Sequence, residues 1–479
     1  MKLSRVLFTF AAVLAMLALT VGGGVLAQEG SAISKNLSTN FTLVNMGSAT
    51  ANVNIDYIAD NWDYSQTLRI NSNGGQAILR QYGDPNLAEG QGSVVIASDQ
   101  PLGALVQIVN RSGTPTSGAY SGVSAGDTTW YIPLVGKNAD SATGVANSQI
   151  VIQALQASSE IQVAFTRLGS ASPVHTEVIE NLGEGASFYL NVPDIQAQAL
   201  TDGFYSAVVT ADVPVAVVSN LFFGPDGLMS FNAFPQSETG SSWFIPLLYS
   251  RLENTLTTSI ALQNMSGEVI PAGDITMSCS GIAEPFVAGQ IPVNGSFTFN
   301  TLFDRGSDGE MLFPGPYFGA CSIESATGKN FTTLVLHRYT NKPDQGAFGA
   351  LPGTTTGTTM YIPLVAKVLP NGFATAITIQ NLGDADAHLV MRYAGTVEGT
   401  GERIDVELDD VVIPAGRSLI HNFRLNETLQ AEGIPAGFVG TLVVTSDQPI
   451  GSYIANTYLR GTGDQFMAYT GFTTEAPPQ

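Results

Sequence analysis

One phrase occurs three times in this chain of 479 residues: Trp130-Tyr-Ile-Pro-Leu-Val135, Trp243-Phe-Ile-Pro-Leu-Leu248 and Met360-Tyr-Ile-Pro-Leu-Val365, at starts 113 and 117 residues apart. The chain is therefore an array. A period of 20 to 50 residues would indicate a solenoid, whereas one above a hundred gives each unit enough chain to bury its own core.

Alignment on the phrase brings out further matching pieces. A strand ends in Asn45-Met-Gly47, in Gln263-Asn-Met265 and in Gln380-Asn-Leu-Gly383, with Ile150-Val-Ile-Gln153 as a divergent copy. Next comes a strand of strict alternation: Val53, Ile55 and Tyr57, then Ile161, Val163 and Phe165, then Leu389, Met391 and Tyr393. Period two with one polar face is the pattern of a half-buried strand in an antiparallel sheet. Turns follow at Asn71-Ser-Asn-Gly-Gly75, Gly183-Glu-Gly185, Pro292-Val-Asn-Gly295 and Pro414-Ala-Gly416. Two more strands are joined by Ser98-Asp-Gln-Pro101, Ala211-Asp-Val-Pro214 and Ser446-Asp-Gln-Pro449, which the sequence presents as hairpin turns. A last hairpin closes each unit, ending at Ala119-Tyr-Ser-Gly-Val123, Phe231-Asn-Ala-Phe234, Ala347-Phe-Gly-Ala350 and Ala468-Tyr-Thr-Gly-Phe472.

Seven or eight short strands per unit, 51 Gly, 24 Pro and only 12% charged residues predict an all-β protein. The expected architecture is four tandem immunoglobulin-like antiparallel β-sandwich domains, with a barrel as runner-up. The units span 28–124, 130–235, 243–351 and 360–473, after a leader 1–27 and before a tail 474–479. Short linkers rich in Thr, Ser and Gly suggest a rod with limited flexing. Helical turns are expected only at 194–200 and 426–431. Four cores share three Ile-Pro-Leu strands. If each belongs to the unit after it, the first core lacks an opening strand unless 30–34 fills it; if to the unit before, the fourth is deficient. Four units also have three junctions, and the plainest account makes these strands connectors.

The pattern resembles the tandem immunoglobulin-like repeats of uncharacterised secreted and surface proteins of bacteria, in which an Ile-Pro-Leu strand, an aromatic neighbour and a later Gly-Phe-x-Gly strand recur. The residues that carry the resemblance are Ile132-Pro133-Leu134, Ile245-Pro246-Leu247, Ile362-Pro363-Leu364 and Gly437-Phe-Val-Gly440. The inner units depart from the last form, with Gly203-Phe-Tyr-Ser206 and Tyr317-Phe-Gly-Ala320. The resemblance implies an architecture and a location and no single chemistry.

Lys2 and Arg5, the apolar stretch 6–21 and Val25-Leu26-Ala27 read as a secretory leader cut after Ala27. An uncleaved anchor is the alternative. No later stretch has 18 uninterrupted apolar residues, so no membrane span is expected after cleavage. The formal charge of −21 becomes −23 without Lys2 and Arg5. That balance excludes nucleic acid as a partner, because phosphate neutralisation needs basic patches.

Catalytic signatures are missing: no Gly-x-Ser-x-Gly elbow, phosphate loop or dinucleotide fingerprint occurs. Cys279 and Cys321 fall on core-facing positions of one unit, which favours a disulfide in an exported protein. His175, His337, His388 and His421 lack zinc-ligand spacing. Asp304, Asp308 and Glu310 form a weak calcium candidate without the spacing of a calcium loop; no other metal and no organic cofactor is expected. Trp130, Tyr131, Trp243, Phe244 and Tyr361 beside the ladder-breaking prolines are candidates for the seams between domains.

These features point to a non-enzymatic exported structural or adhesive protein of the cell surface, extracellular matrix or an appendage. Its partners would be itself or other surface proteins. The alternative is a secreted polysaccharide-binding protein using Trp62, Tyr64 and Tyr82.

Overall fold

Alternating β-branched and aromatic residues between Gly, Pro and Asn clusters produce strands throughout, and every strand pairing is antiparallel. The computed structural model describes residues 37–474 apart from 60–61, 111–114, 142–143, 225, 239, 254, 307–308, 425–432 and 460–461. The chain is all-β and built of sandwich-type sheets.

Four sets of strands follow one another. The first holds β1 (Leu37–Asn45), β2 (Ala51–Ala59), β3 (Trp62–Ile70), β4 (Gln76–Arg80), β5 (Ser93–Ser98), β6 (Leu102–Asn110) and β7 (Ser117–Ser121). The second holds β8 (Asp127–Lys137), β9 (Ala139–Ser141), β10 (Gly144–Ala154), β11 (Ser158–Arg167), β12 (Pro173–Leu182), β13 (Ser187–Asn191), β14 (Gly203–Phe223), β15 (Gly227–Asn232) and β16 (Phe234–Pro235). The third holds β17 (Ser242–Ser250), β18 (Leu256–Asn264), β19 (Ile275–Cys279), β20 (Phe286–Val287), β21 (Ser296–Asn300), β22 (Tyr317–Ser325), β23 (Phe331–Tyr339), β24 (Gln345–Gly349) and β25 (Leu351–Pro352). The fourth holds β26 (Thr359–Lys367), β27 (Phe373–Asn381), β28 (Ala387–Val397), β29 (Arg403–Ile413), β30 (Ser418–Asn422), β31 (Phe438–Ser446), β32 (Ile450–Tyr458), β33 (Phe466–Tyr469) and β34 (Phe472–Thr474).

In the fourth set one sheet runs β30-β27-β32-β33 and the other β29-β28-β31-β26-β34. The third set repeats this order, and the first repeats it as β4-β1-β6-β7 and β3-β2-β5. In the second set the long strand β14 serves both sheets, its early residues pairing β11 and its later ones β10. The Asp-Gln-Pro links are thus corners that carry the chain from one sheet to the other, and not the hairpins that the sequence suggests. An aspartate holds the corner in three sets. Asp99 accepts from the Asn52 N–H (2.8 Å), Asp212 from that of Ser159 (3.0 Å) and Asp447 from that of His388 (2.8 Å). Of the two helical expectations, 194–200 gives only a 3-10 turn at Val192–Asp194, and 426–431 lies outside the described residues.

The three Ile-Pro-Leu strands, β8, β17 and β26, pair β14, β22 and β31 within the set that follows them. They are opening strands and more than connectors. Proline has no N–H to give the ladder, and the register slips there: Ile362 faces Leu442 but Val365 faces Gly440, so Pro363 and Leu364 share one partner, Thr441. The same two-against-one bulge sets Pro133-Leu134 against Ser206 and Pro246-Leu247 against Ala320.

At that bulge the second, third and fourth sets each meet the next, and the first meets the second through Ser93 of β5. Gln76 donates to the Pro363 carbonyl, and Ser418 Oγ to the Pro246 carbonyl at 2.7 Å. Thr441 Oγ1 donates to Gly74 O (2.9 Å), Ser206 Oγ to Asn294 O (3.1 Å), and Ser93 Oγ meets Ser187 Oγ at 2.6 Å. These contacts join first to second, second to third, third to fourth and fourth back to first. Gly74 and Gly185 are needed at two of the seams. Both have positive φ, and a Cβ would lie 2.5 Å from Val443 and 2.8 Å from Ile58 respectively.

The sequence-expected rod is therefore replaced by a closed cycle. Linkers that look free in the sequence are tied down, as by Gly353 N to Ser242 O (2.7 Å) and Ser237 N to Asp127 Oδ2 (2.8 Å). One buried apolar cluster runs through the second and third sets into Tyr453 and Phe466 of the fourth, and another joins Leu105 and Ala119 of the first to the fourth. Residues 35–479 form one compact unit by their contacts. Small-angle scattering of the protein without its leader should give a radius of gyration of about 22 Å, the value for a compact chain of this length. A rod of four sandwiches, each about 35 Å long from strands of this size, would give about 40 Å.

Candidate functional site

The closing hairpins of the four sets converge. Strands β7, β15, β24 and β33 lie against one another in cyclic order, the last against the first. Side-chain size permits this approach. The equivalent positions Ala119, Ser230, Ala347 and Ala468 face Gln107, Asn220, Leu336 and Ala455 across their hairpins. The neighbouring position alternates around the cycle as Gly118, Met229, Gly346 and Met467. A Cβ on Gly118 would lie 2.5 Å from Ser230 Oγ, and one on Gly346 2.7 Å from the Phe466 ring. Ser230 and Leu228 thus occupy the space that glycine leaves at 118, and Phe466 and Ala468 the space at 346.

Asp464, at the entry to β33, ties this junction together. Its Oδ2 accepts from Leu228 N at 2.8 Å, its Oδ1 from Gln345 N and Phe466 N at 3.2 Å each, and its carbonyl from Ser117 Oγ at 3.2 Å. One residue of the fourth set therefore bonds to all three others. Its side chain is fully buried, and burial pushes the carboxyl well above the usual range, against the pull of the backbone N–H donors; Asp344 nearby adds to the rise. A cleft of about 190 Å³ opens beside it, lined in part by Asn40, Thr116, Tyr458 and Gln465.

A second buried ionisable group is His337. Its Nε2 lies 3.0 Å from the carbonyl of Leu247, within the second Ile-Pro-Leu bulge. The rings of Tyr249, Phe348 and Tyr453 surround it at 4.8 to 5.3 Å. Burial drives its pKa down to about 3, so the imidazole is neutral and donates to the carbonyl.

A buried asparagine was visible in the sequence only as a repeated letter. Asn45, Asn264 and Asn381 each donate twice or more from Nδ2 to main-chain carbonyls, among them Ile70 O, Ile291 O and Ile413 O, and each accepts from the N–H two residues on. They fix the corner that leads to the alternating strand. The signal available was their recurrence at one aligned position.

The residues singled out in the sequence fall as follows. Cys279 and Cys321 are disulfide-bonded, with Cα atoms 4.1 Å apart, and face each other in register between β19 and β22 of a single sheet. Trp243 is fully buried, edge-on to Phe234 of the preceding set, and donates to Phe331 O at 2.8 Å. Tyr361 reaches the first set, donating to Met46 O at 3.2 Å. Trp130 and Tyr131 bond within the second set and its exit, to Val215 O (2.9 Å) and Gln236 Oε1 (2.6 Å), while half-buried Phe244 sits opposite Leu351. Trp62 and Tyr64 turn inward and pack on the first core; Tyr82 is 64% exposed. Asp304 accepts from Asn300 N at 2.7 Å, Glu310 lies on the same loop, and Asp308 lies outside the described residues. Among the described residues no three His, Cys, Asp or Glu side chains gather at metal-binding distance.

No protein-family model matches this chain, and no curated protein matches it either. A likeness is found to the crystal structure of Thermotoga maritima 1070, 17% identical, covering 23% of this chain and 95% of that one with a TM-score of 0.19. A likeness of that size carries no argument.

Two predictions follow from the buried groups. Replacing Asp464 by Ala leaves three buried N–H groups without an acceptor and should cost about 3 kcal/mol or more in urea unfolding; a loss below about 1 kcal/mol would show that the junction does not depend on it. The pH response separates His337. Its folded pKa lies below the unfolded value of about 6.5, so its contribution is whole above that pH and fades toward pH 3 by about 1.4 kcal/mol per unit. Asp464 has the opposite sign: raised in the fold, its contribution is whole below about pH 3.9 and fades as pH rises through the folded value. Between about pH 4 and 6.5 the slopes oppose, and His337→Phe should tilt the unfolding free energy downward with rising pH relative to the unsubstituted protein. Identical pH profiles would refute the assignment.

Proposed function

We propose that this chain is an exported, non-enzymatic structural or adhesive protein of the bacterial cell surface, extracellular matrix or an appendage, acting with copies of itself or with other surface proteins. The observation that carries the reading is the use made of its ionisable and polar interior. Asp464, His337 and the seam hydroxyls of Ser206, Ser418 and Thr441 each bond to main-chain atoms of another strand or set. Lys137 and Lys367, both buried, likewise donate to the carbonyls of Ile195 and Ile434. Groups that would serve a reaction are engaged in joining strands, which is the chemistry of a scaffold. A leader-like start, the acidic balance and the Cys279–Cys321 bridge support export.

Of the three aromatics in the polysaccharide-binding alternative, Tyr82 is exposed, while Trp62 and Tyr64 are partly buried against the first core. Expression with the leader, followed by fractionation and negative-stain microscopy of the outer material, should place the protein outside the cytoplasm and in ordered or surface-attached material. Recovery of all of it from the cytoplasm would overturn the proposal. Specific retention on a glycan array, lost in Tyr82→Ala, would favour the alternative.

A further inference from the structure

Each of the four innermost strands, β7, β15, β24 and β33, has one edge in its own hairpin and the other turned toward the remaining sets. The bonds Asn110 N to Thr116 O, Ala233 N to Val217 O, Tyr339 N to Asp344 O and Tyr458 N to Gln465 O fix which residues use which edge. Main-chain pairing alternates along an antiparallel strand, so 118 and 120, 229 and 231, 346 and 348, and 467 and 469 bond within their hairpins. The residues between them present both N–H and C=O to the junction. These fall in three layers: Ser117, Leu228, Gln345 and Phe466; then Ala119, Ser230, Ala347 and Ala468; then Ser121, Asn232, Gly349 and Thr470.

The layers differ in how those groups are answered. In the first, the N–H groups of Leu228, Gln345 and Phe466 all meet the carboxylate of Asp464, so the free edges of three sets converge on one place. In the third, Asn232 takes the Ser121 N–H at its Oδ1 and gives its Nδ2 hydrogen to the Ser121 carbonyl. In the middle layer, the junction-facing N–H and C=O groups of Ala119, Ala347 and Ala468 have no hydrogen-bond partner among the described residues. All three residues are 1–2% exposed. Buried main-chain groups of this kind are almost always answered, by protein or by ordered water. Beside them lies a pit of about 20 Å³, lined by Ala119, Ala347 and Ala468 together with Ser121, Asn232 and Thr470, so that all four sets contribute to its wall.

We infer that this pit is a binding site for a single water molecule, held by main-chain groups of the middle layer and joining strands of different sets as Asp464 joins them one layer away. Size and polarity select the occupant. A space of about 20 Å³ takes one water and excludes any organic molecule. Each junction-facing residue offers a donor and an acceptor side by side, and water, with two hydrogens and two lone pairs, can answer both. An anion would be repelled by the C=O groups. A cation would be repelled by the N–H groups, and no charged side chain lines the pit to hold an ion of either sign. The inference concerns how the cycle is closed and does not require the surface role.

Two measurements on the protein lacking 1–27 test this. Crystals soaked in sodium bromide and measured at the bromine absorption edge should show one solvent atom in the pit, without anomalous signal, at about 2.7–3.2 Å from main-chain N or O atoms of more than one set. In solution, with alanine labelled in nitrogen-15, the amide protons of Ala119, Ala347 and Ala468 should give cross-peaks to water of opposite sign in NOE and ROE spectra, the mark of a water that tumbles with the protein. An anomalous peak in the pit would make the occupant a halide and overturn the inference. So would a pit without solvent density, and so would cross-peaks that are missing or of equal sign in the two spectra, which is the behaviour of passing solvent.

Discussion

A missing N–H organises this fold. Proline in Ile-Pro-Leu cannot pair, the ladder skips two residues, and a carbonyl that would have been spent inside the sheet is turned outward. In the third and fourth sets that carbonyl takes a donor from the set that follows, Ser418 or Gln76. A local defect in one sheet thereby becomes the attachment point for another, and its repetition at similar geometry bends the array round until the fourth set meets the first. A head-to-tail contact repeated in this way either closes or runs on without limit; here it closes within one chain.

Closure shifts the burden to the centre, where four strand edges must share a narrow space. Small residues make the approach possible, and polar atoms are matched across sets, as in the reciprocal pair between Ser121 and Asn232 at 3.0 and 2.7 Å. Buried polar groups without partners are costly, so the satisfied ones fix which strand sits beside which. Asp464 is the extreme case because its oxygens accept from donors in all three other sets.

The all-β class, the alternating strands, the closing hairpins and the disulfide were legible in the sequence because they rest on local period and turn chemistry. Period two marks a strand wherever it lies, and Cys279 and Cys321 were both placed inward by it. The cycle was not legible. Nothing in Thr- and Ser-rich linkers distinguishes a free tether from one whose amides are bonded, and the Asp-Gln-Pro links have the composition of hairpins although they turn corners. The seam candidates divide for the same reason: Tyr361 does cross between sets, whereas Trp130 is held within its own, since an aromatic beside a proline has no sequence mark for which side it will pack on. Asp464 and His337 carried no signal at all, being single residues whose partners are main-chain atoms far along the chain.

The alternation of Gly118, Met229, Gly346 and Met467 has a genetic meaning. Four identical subunits around an axis must repeat the same side chain at every equivalent place, so any residue there has to fit against itself. Covalent fusion lifts that rule. With glycine at two of these places and methionine at the other two, the four quarters need not be self-complementary, an arrangement open only to a polypeptide whose quarters differ in sequence. Because every seam is then intramolecular, dilution has no purchase on the assembly: its integrity is a property of folding alone, the same at any abundance.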